Sequence, residues 1–261
     1  LLKNVHGIAL TGYTGAAKSV TTDTTETNID VRKTGSTITE ITYEGYTFKG
    51  VRTATSITDG AVTSTVGGIS RAGNTTTENE ITVDSDSHAN IYGGWTSGSG
   101  SDAPAERQRD SRANKVTVSA AATVSGTVYG GFTDVAGGAA SGNEVTIAKD
   151  LSAHIVGGSS LSGEASDNTV HLSHVTVSTV TGGAGMTTNR NTINLGGGAH
   201  VTNVLTGGSQ AGSTGNTLNV RGVENTAGSI ENIQNMNFDA TGAAQGSTLL
   251  RVTGTAPTTV N

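Results

Sequence analysis

The chain has 261 residues, of which 38 are glycine, 33% are hydrophobic and only 3% aromatic; its formal net charge is −6 and it contains no cysteine. An acidic balance with no basic stripe argues against tracking nucleic-acid phosphates, and the lack of cysteine leaves no disulfide framework. No apolar run approaches the ~18 residues that a membrane-crossing helix needs.

Residues 1–51 are the least regular. Ile29-Asp30-Val31, Ile38 to Tyr43 and Tyr46-Thr47-Phe48 alternate as strands do, parted by turns at Lys33-Thr34-Gly35 and Glu44-Gly45. They are expected to be degenerate first coils, or a cap protecting the open end of a stack of strands. The chain opens Leu1-Leu2-Lys3 with no signal peptide visible, and it reads as a processed or excised segment of a longer polypeptide.

From residue 52 to residue 222 one phrase recurs. A glycine pair leads through a polar loop to an asparagine and a short alternating apolar run. The pairs are Gly67-Gly68, Gly93-Gly94, Gly130-Gly131, Gly157-Gly158, Gly182-Gly183 and Gly207-Gly208. The asparagines that answer them are Asn79, Asn114, Asn143, Asn168, Asn191 and Asn216. Successive pairs lie 26, 37, 27, 25 and 25 residues apart. A period near 25 residues marks stacked supersecondary units, none able to bury its apolar face alone. The unit carries no helical pattern; Val145-x-Ile147 and Leu218-x-Val220 show the period of two of half-buried strands, in β-branched residues that suit a pleat. The predicted fold is all-β: a single right-handed parallel β-helix, or β-solenoid, with coils of about 25 residues, each strand pairing with its copy one coil later. Within it the glycine pairs are expected at coil corners, with positive φ and close approach of neighbouring coils. The asparagines are expected at another corner, in the left-handed region, stacked into a hydrogen-bonded ladder.

One unit is anomalous. Nineteen residues separate Gly94 from Asn114, and the surplus, residues 97–112, reads as a projecting loop. Solenoids place insertions at corners, often on a binding face. This loop holds Arg107, Arg109 and Arg112, with the chain's single tryptophan, Trp95, at its base. That combination is a candidate site for an acidic or glycan ligand. The plainer reading, a solvated loop of paired charges, carries more weight.

After Val220 the glycine pair disappears, and residues 223–261 form coils of an altered repeat with strands at Ile230 to Phe238 and Leu249 to Val252.

Catalytic chemistry finds little purchase. Asp84 and Asp86 are the only close acidic pair on a strand end, and an exposed turn explains them better than a weak cation site. His171 and His174 lie three apart, which on a strand sends them to opposite faces, and His88 and His200 share a repeat position that other copies do not keep. No nucleophile elbow, no calcium-binding nonapeptide and no cofactor motif appears. Asn74-Thr75-Thr76 is a glycosylation sequon by its letters alone.

The wording of the repeat, best seen in Ile91-Tyr92-Gly93-Gly94 and in Val128-Tyr129-Gly130-Gly131 with Asn143 to Ile147, resembles the passenger region of bacterial autotransporters, over residues 52–254. The resemblance implies a right-handed β-helix exported to the outer membrane, extracellular at the bacterial surface or secreted. It implies adhesion, aggregation or biofilm formation, with a host or bacterial surface glycan or protein, or copies of the chain itself, as partner. Tethering would run through a C-terminal translocator barrel that this sequence lacks. The expected function is therefore a non-enzymatic surface rod, an adhesin or its stalk. The alternatives are a structural subunit stacking into a filament or surface layer, and a β-helix polysaccharide lyase or hydrolase.

Overall fold

The computed structural model describes residues 29–34, 37–43, 46–49, 55–59, 62–70, 76–84, 86–97 and 109–255. Arg107 and the other insertion residues from 98 to 108 lie outside these, as do residues 1–28 of the N-terminal region and residues 256–261. The described residues form an all-strand parallel β-solenoid of about seven turns, roughly 25 residues per coil. Among them are a long sheet of 12 strands, a second sheet of seven and a small one of three.

The seven-stranded sheet shows why the alternating run after each asparagine folds as it does. Glu80–Val83, Lys115–Val118, Glu144–Ile147, Thr169–Ser173, Thr192–Gly196, Thr217–Arg221 and Asn235–Asp239 pair in parallel with no slip between coils. Alternate side chains point inward, so Val116, Val145, Val170, Ile193 and Leu218 stack in one buried column and Val118, Ile147, Leu172, Leu195 and Val220 in another. Facing them from the long sheet stands a third column, Ile91, Val128, Ile155, Val180, Leu205 and Ile230. Two or three aliphatic layers per coil are enough, because each coil shares its core with the next. That is how a chain only 33% hydrophobic stays folded.

The asparagine ladder runs along this core, and from Asn114 to Asn216 it uses every hydrogen-bonding capacity its amides have. Asn168 shows the pattern. Its Oδ1 accepts from the backbone N–H and from Nδ2 of Asn143, both at 3.0 Å, and its Nδ2 donates to Asn191 Oδ1 at 3.1 Å and to the Ala140 carbonyl at 3.0 Å. The side-chain link repeats from Asn79 to Asn114 (2.7 Å), Asn114 to Asn143 (2.9 Å) and Asn191 to Asn216 (3.3 Å). All six asparagines are buried. Gln234 ends the series: its Oε1 takes the Asn216 backbone N–H at 3.0 Å, standing where the next asparagine would be.

The structure corrects the expected backbone conformations. The glycine pairs lie within strands such as Ile91–Thr96 and Val128–Thr133, and none has positive φ. The left-handed residue is instead the one just before each ladder asparagine: Glu78, Ala113, Gly142, Asp167, Arg190 and Gly215, with φ between 52° and 71°. Each non-glycine there carries strain of about 1–2 kcal/mol, tolerated because the ladder and both flanking strands hold the corner.

The glycine pairs are required for close approach. A Cβ built on Gly182 would come within 2.7 Å of Asn191 Cβ and 2.5 Å of the Gly207 carbonyl oxygen; one on Gly183 would come within 2.7 Å of Asn191 Nδ2. Each pair is thus the slot into which a ladder asparagine fits.

Two boundaries also move. In the insertion, Ser111–Arg112 form a strand paired with Thr76–Thr77 and Ala140–Ser141, and Asp110 and Ser111 are buried. The coil therefore resumes before residue 112, because Ser111 Oγ–H is needed to hold the Gly94 carbonyl (2.9 Å) and to accept from Asn114 Nδ2 (3.1 Å). At the other end, strands Ile29–Thr34, Thr37–Tyr43 and Tyr46–Lys49 pair antiparallel, and Thr55–Asp59 pairs antiparallel with Val62–Ser70. Among the described residues parallel pairing starts where Val62–Ser70 meets Ile91–Thr96, which puts the first regular coil near residue 62, later than the expected 52. Beyond residue 222 the stack continues: Asn225–Glu231 and Asn235–Asp239 extend both larger sheets in parallel.

Candidate functional site

Both Tyr92-Gly93-Gly94-Trp95 and Tyr129-Gly130-Gly131-Phe132 place an aromatic residue on each side of a glycine pair. A strand that alternated regularly would send residues three apart to opposite faces. Here both glycines of a pair face inward: a Cβ on Gly130 or Gly131 would meet the ladder residue Asn143. Pairing between the coils skips Gly93 and Gly130. The flanking rings are therefore brought out on one side. Parallel register then lays Tyr129 over Tyr92 and Phe132 over Trp95.

Four rings converge as a result. Tyr92 and Tyr129 stack with centroids 5.0 Å apart and planes 3° from parallel. Trp95 stacks on Tyr92 at 5.0 Å, and Phe132 meets Tyr92, Tyr129 and Trp95 edge-on at 5.4, 5.4 and 6.2 Å. These are favourable arrangements for ring quadrupoles. Tyr92 forms the buried floor, 7% exposed, while Trp95, Tyr129 and Phe132 are half-buried. In the next coil the same two positions are Val156 and Ser159, so the aromatic surface ends after two coils.

Polar groups rim the rings. Asp134 Oδ2 accepts from the Trp95 indole N–H at 3.4 Å and from Ser97 Oγ–H at 3.0 Å. Asn90 Nδ2 donates to the Tyr92 hydroxyl oxygen at 3.2 Å, and Asn90 Oδ1 accepts the Thr127 N–H. Burial pushes the Tyr92 phenol above its usual range, opposed by the Asn90 hydrogen bond; burial does the same to Tyr129. Both hydroxyls stay protonated, and so remain donors, at any physiological pH. A surface of this kind, apolar ring faces edged by fixed donors and acceptors, can bind the apolar face of a sugar ring or an extended peptide side chain.

Of the four residues that the sequence pointed to as ligand contacts, Trp95 sits in this cluster. Arg112 Nη2 pairs with the buried carboxylate of Asp110 at 2.6 Å, and Asp110 also accepts the Ala139 N–H at 2.6 Å. Arg109 Nη1 donates to the Ala136 carbonyl at 3.3 Å. These bonds fasten the C-terminal foot of the insertion to the following coil. Tyr92, Tyr129 and Phe132, which no sequence motif singles out as ligand contacts, complete the patch. Asp84 is exposed, and Asp86 Oδ1 accepts the Thr123 N–H at 2.7 Å, which holds its carboxyl below the usual aspartate range. Among the described residues no group of three His, Cys, Asp or Glu could hold a metal ion.

No protein-family profile matches the chain, and no curated protein or solved structure matches it.

Proposed function

We propose that this chain is a non-enzymatic, surface-exposed rod that adheres to its partner through the aromatic cluster of Tyr92, Trp95, Tyr129 and Phe132. The observation that carries the reading is the cluster itself. Among the described residues no other aromatic rings meet, and the chain spends its single tryptophan and one of its three phenylalanines here. Aromatic residues dominate the binding energy of recognition surfaces when they sit beside groups that exclude water. A rigid scaffold of stacked coils displays such a patch at no ordering cost.

The β-solenoid and the repeated Tyr-Gly-Gly-aromatic wording also support a passenger region of the bacterial autotransporter kind. On that reading the rod is exported and held at the outer membrane by a separate barrel, and a surface glycan is its partner. Stalk and adhesin are then one body, with the patch in its N-terminal coils, towards the end away from a C-terminal barrel.

The test compares wild type with Trp95→Ala/Phe132→Ala in binding to a glycan array and to host and bacterial cells. Tyr92 is kept so that the floor stays in place. Binding by the wild type, reduced about tenfold or more in the variant at unchanged circular dichroism, is the expected result. Equal binding by both proteins would remove the patch from the mechanism. Turnover of an arrayed polysaccharide by the wild type would replace adhesion with catalysis.

A further inference from the structure

The outer face of the seven-stranded sheet carries a second amide file. His171, Asn194, Asn219 and Asn237 occupy one outward register position in four successive coils. Asn237 Nδ2 donates to Asn219 Oδ1 at 2.8 Å, Asn219 Nδ2 to Asn194 Oδ1 at 2.8 Å, and Asn194 Nδ2 to His171 Nδ1 at 3.3 Å. That acceptor role places the His171 ring proton on Nε2, which faces Glu144 Oε1 at 3.7 Å. The file lines an open depression of about 510 Å³ that also takes in Gly196, Phe238 and the pair Arg221 and Asp239, 3.5 Å apart.

This file differs from the buried ladder in one respect that bears on ligands. A carboxamide offers two N–H donors and two acceptor lone pairs. In the buried ladder all four are used within the protein. On the outer face each of Asn194 and Asn219 uses one donor and one lone pair on its neighbours in the file. One N–H and one lone pair per rung are left facing solvent, and the rungs recur at the strand spacing of roughly 4.8 Å.

We propose that this comb binds a linear, neutral glycan laid along the rod axis, one sugar ring per coil. A sugar hydroxyl both donates and accepts, so it matches a rung that presents one of each. The strand spacing is close to the length that one ring adds to an extended pyranose chain, so neighbouring rings meet neighbouring rungs. The volume falls within the range of small-molecule clefts. The Arg221–Asp239 pair, electrically balanced and exposed, gives the last ring a donor fork and a carboxylate for vicinal hydroxyls. Asn194, Asn219 and Asn237 carry no charge, which makes neutral chains the better fit.

The experiment titrates the whole chain with cello- and chito-oligosaccharides of two to six rings, by calorimetry. Affinity should rise about tenfold or more from two rings to four and level off beyond four, as the rungs run out. Asn219→Thr, which keeps a strand-forming residue there, should lose that gain at an unchanged melting temperature. Trp95→Ala/Phe132→Ala should keep the rise from two rings to four, whatever sugar binding the aromatic patch itself loses, which separates the two sites. No binding of either series at millimolar concentration, affinity independent of ring number, or wild-type affinity in Asn219→Thr would each overturn the proposal.

Discussion

Asn168→Asp is expected to destabilise the rod by about 3–5 kcal/mol at neutral pH, as an unpaired buried charge does. The exchange leaves size and shape almost unchanged, so it reads hydrogen-bond polarity alone. The oxygen that accepts from Asn143 survives. The nitrogen that donates to the Ala140 carbonyl and to Asn191 Oδ1 becomes an oxygen, set 3.0 and 3.1 Å from two other oxygens in a site with no solvent access. Acceptor faces acceptor twice. A proton on the introduced carboxyl relieves one of the two clashes, so the pKa of that group is higher in the folded state than its unfolded value of about 3.9. The folded variant then binds more protons than the unfolded one between those two values. Its deficit relative to wild type is therefore smallest below about pH 3.9 and grows as pH rises through the folded pKa. Chemical denaturation of both proteins across pH checks this; a deficit that does not change with pH would refute the hydrogen-bond assignment.

Gly182→Val is expected to cost about 3 kcal/mol or more, at the upper end for an overpacked core. The first added carbon already collides with the Gly207 carbonyl and with Asn191 Cβ, and two further methyl groups have nowhere to go. Neither neighbour is the loose end of a flexible side chain. The Gly207 oxygen belongs to the next coil's strand, and Asn191 is fixed by its ladder bonds. Relief would need the coils to part. Gly212→Val is the matching control, since a Cβ there meets nothing within 4 Å. Loss of soluble protein or a sharply lowered melting temperature for the first, with the second near wild type, is the anticipated pattern. A Gly182→Val variant as stable as the control would show that the coils part at little cost and that the slot does not enforce glycine.

The solenoid was legible because its demands repeat. A core column needs an aliphatic residue at the same place in each coil, and a fully bonded ladder needs the same amide, so both wrote themselves into the sequence as recurring letters. The left-handed corner did not. Its six occupants are Glu78, Ala113, Gly142, Asp167, Arg190 and Gly215, and a backbone angle enforced by neighbours leaves no single residue type to recognise. The role expected of the glycine pair is half right for a related cause. Close approach and positive φ both favour glycine, and only the surroundings of Gly182 and its copies tell them apart. The aromatic patch does leave a signal. Aligning the chain on its glycine pairs sets Tyr92 over Tyr129 and Trp95 over Phe132, whereas reading along the chain sets Trp95 only beside the arginines of the insertion. The outer amide file is visible in the same alignment, as the second asparagine of Asn191-Thr192-Ile193-Asn194 and Asn216-Thr217-Leu218-Asn219.

The buried ladder has a sense as well as a strength. Each amide gives a backbone N–H and a side-chain N–H to the oxygen one coil nearer the C-terminus. A stack growing towards the N-terminus leaves an oxygen with free lone pairs at its unfinished end. Growth in the other direction leaves two N–H groups waiting. Orphaned N–H groups are the less tolerated of the two. The winding of this rod is therefore predicted to have a preferred order, beginning at the Gln234 end and proceeding back towards Asn79. Amide exchange would record that order as a gradient, with Thr217–Arg221 holding its protons longer than Glu80–Val83. A reversed gradient would mean that the ladder fastens the coils without setting which of them comes first.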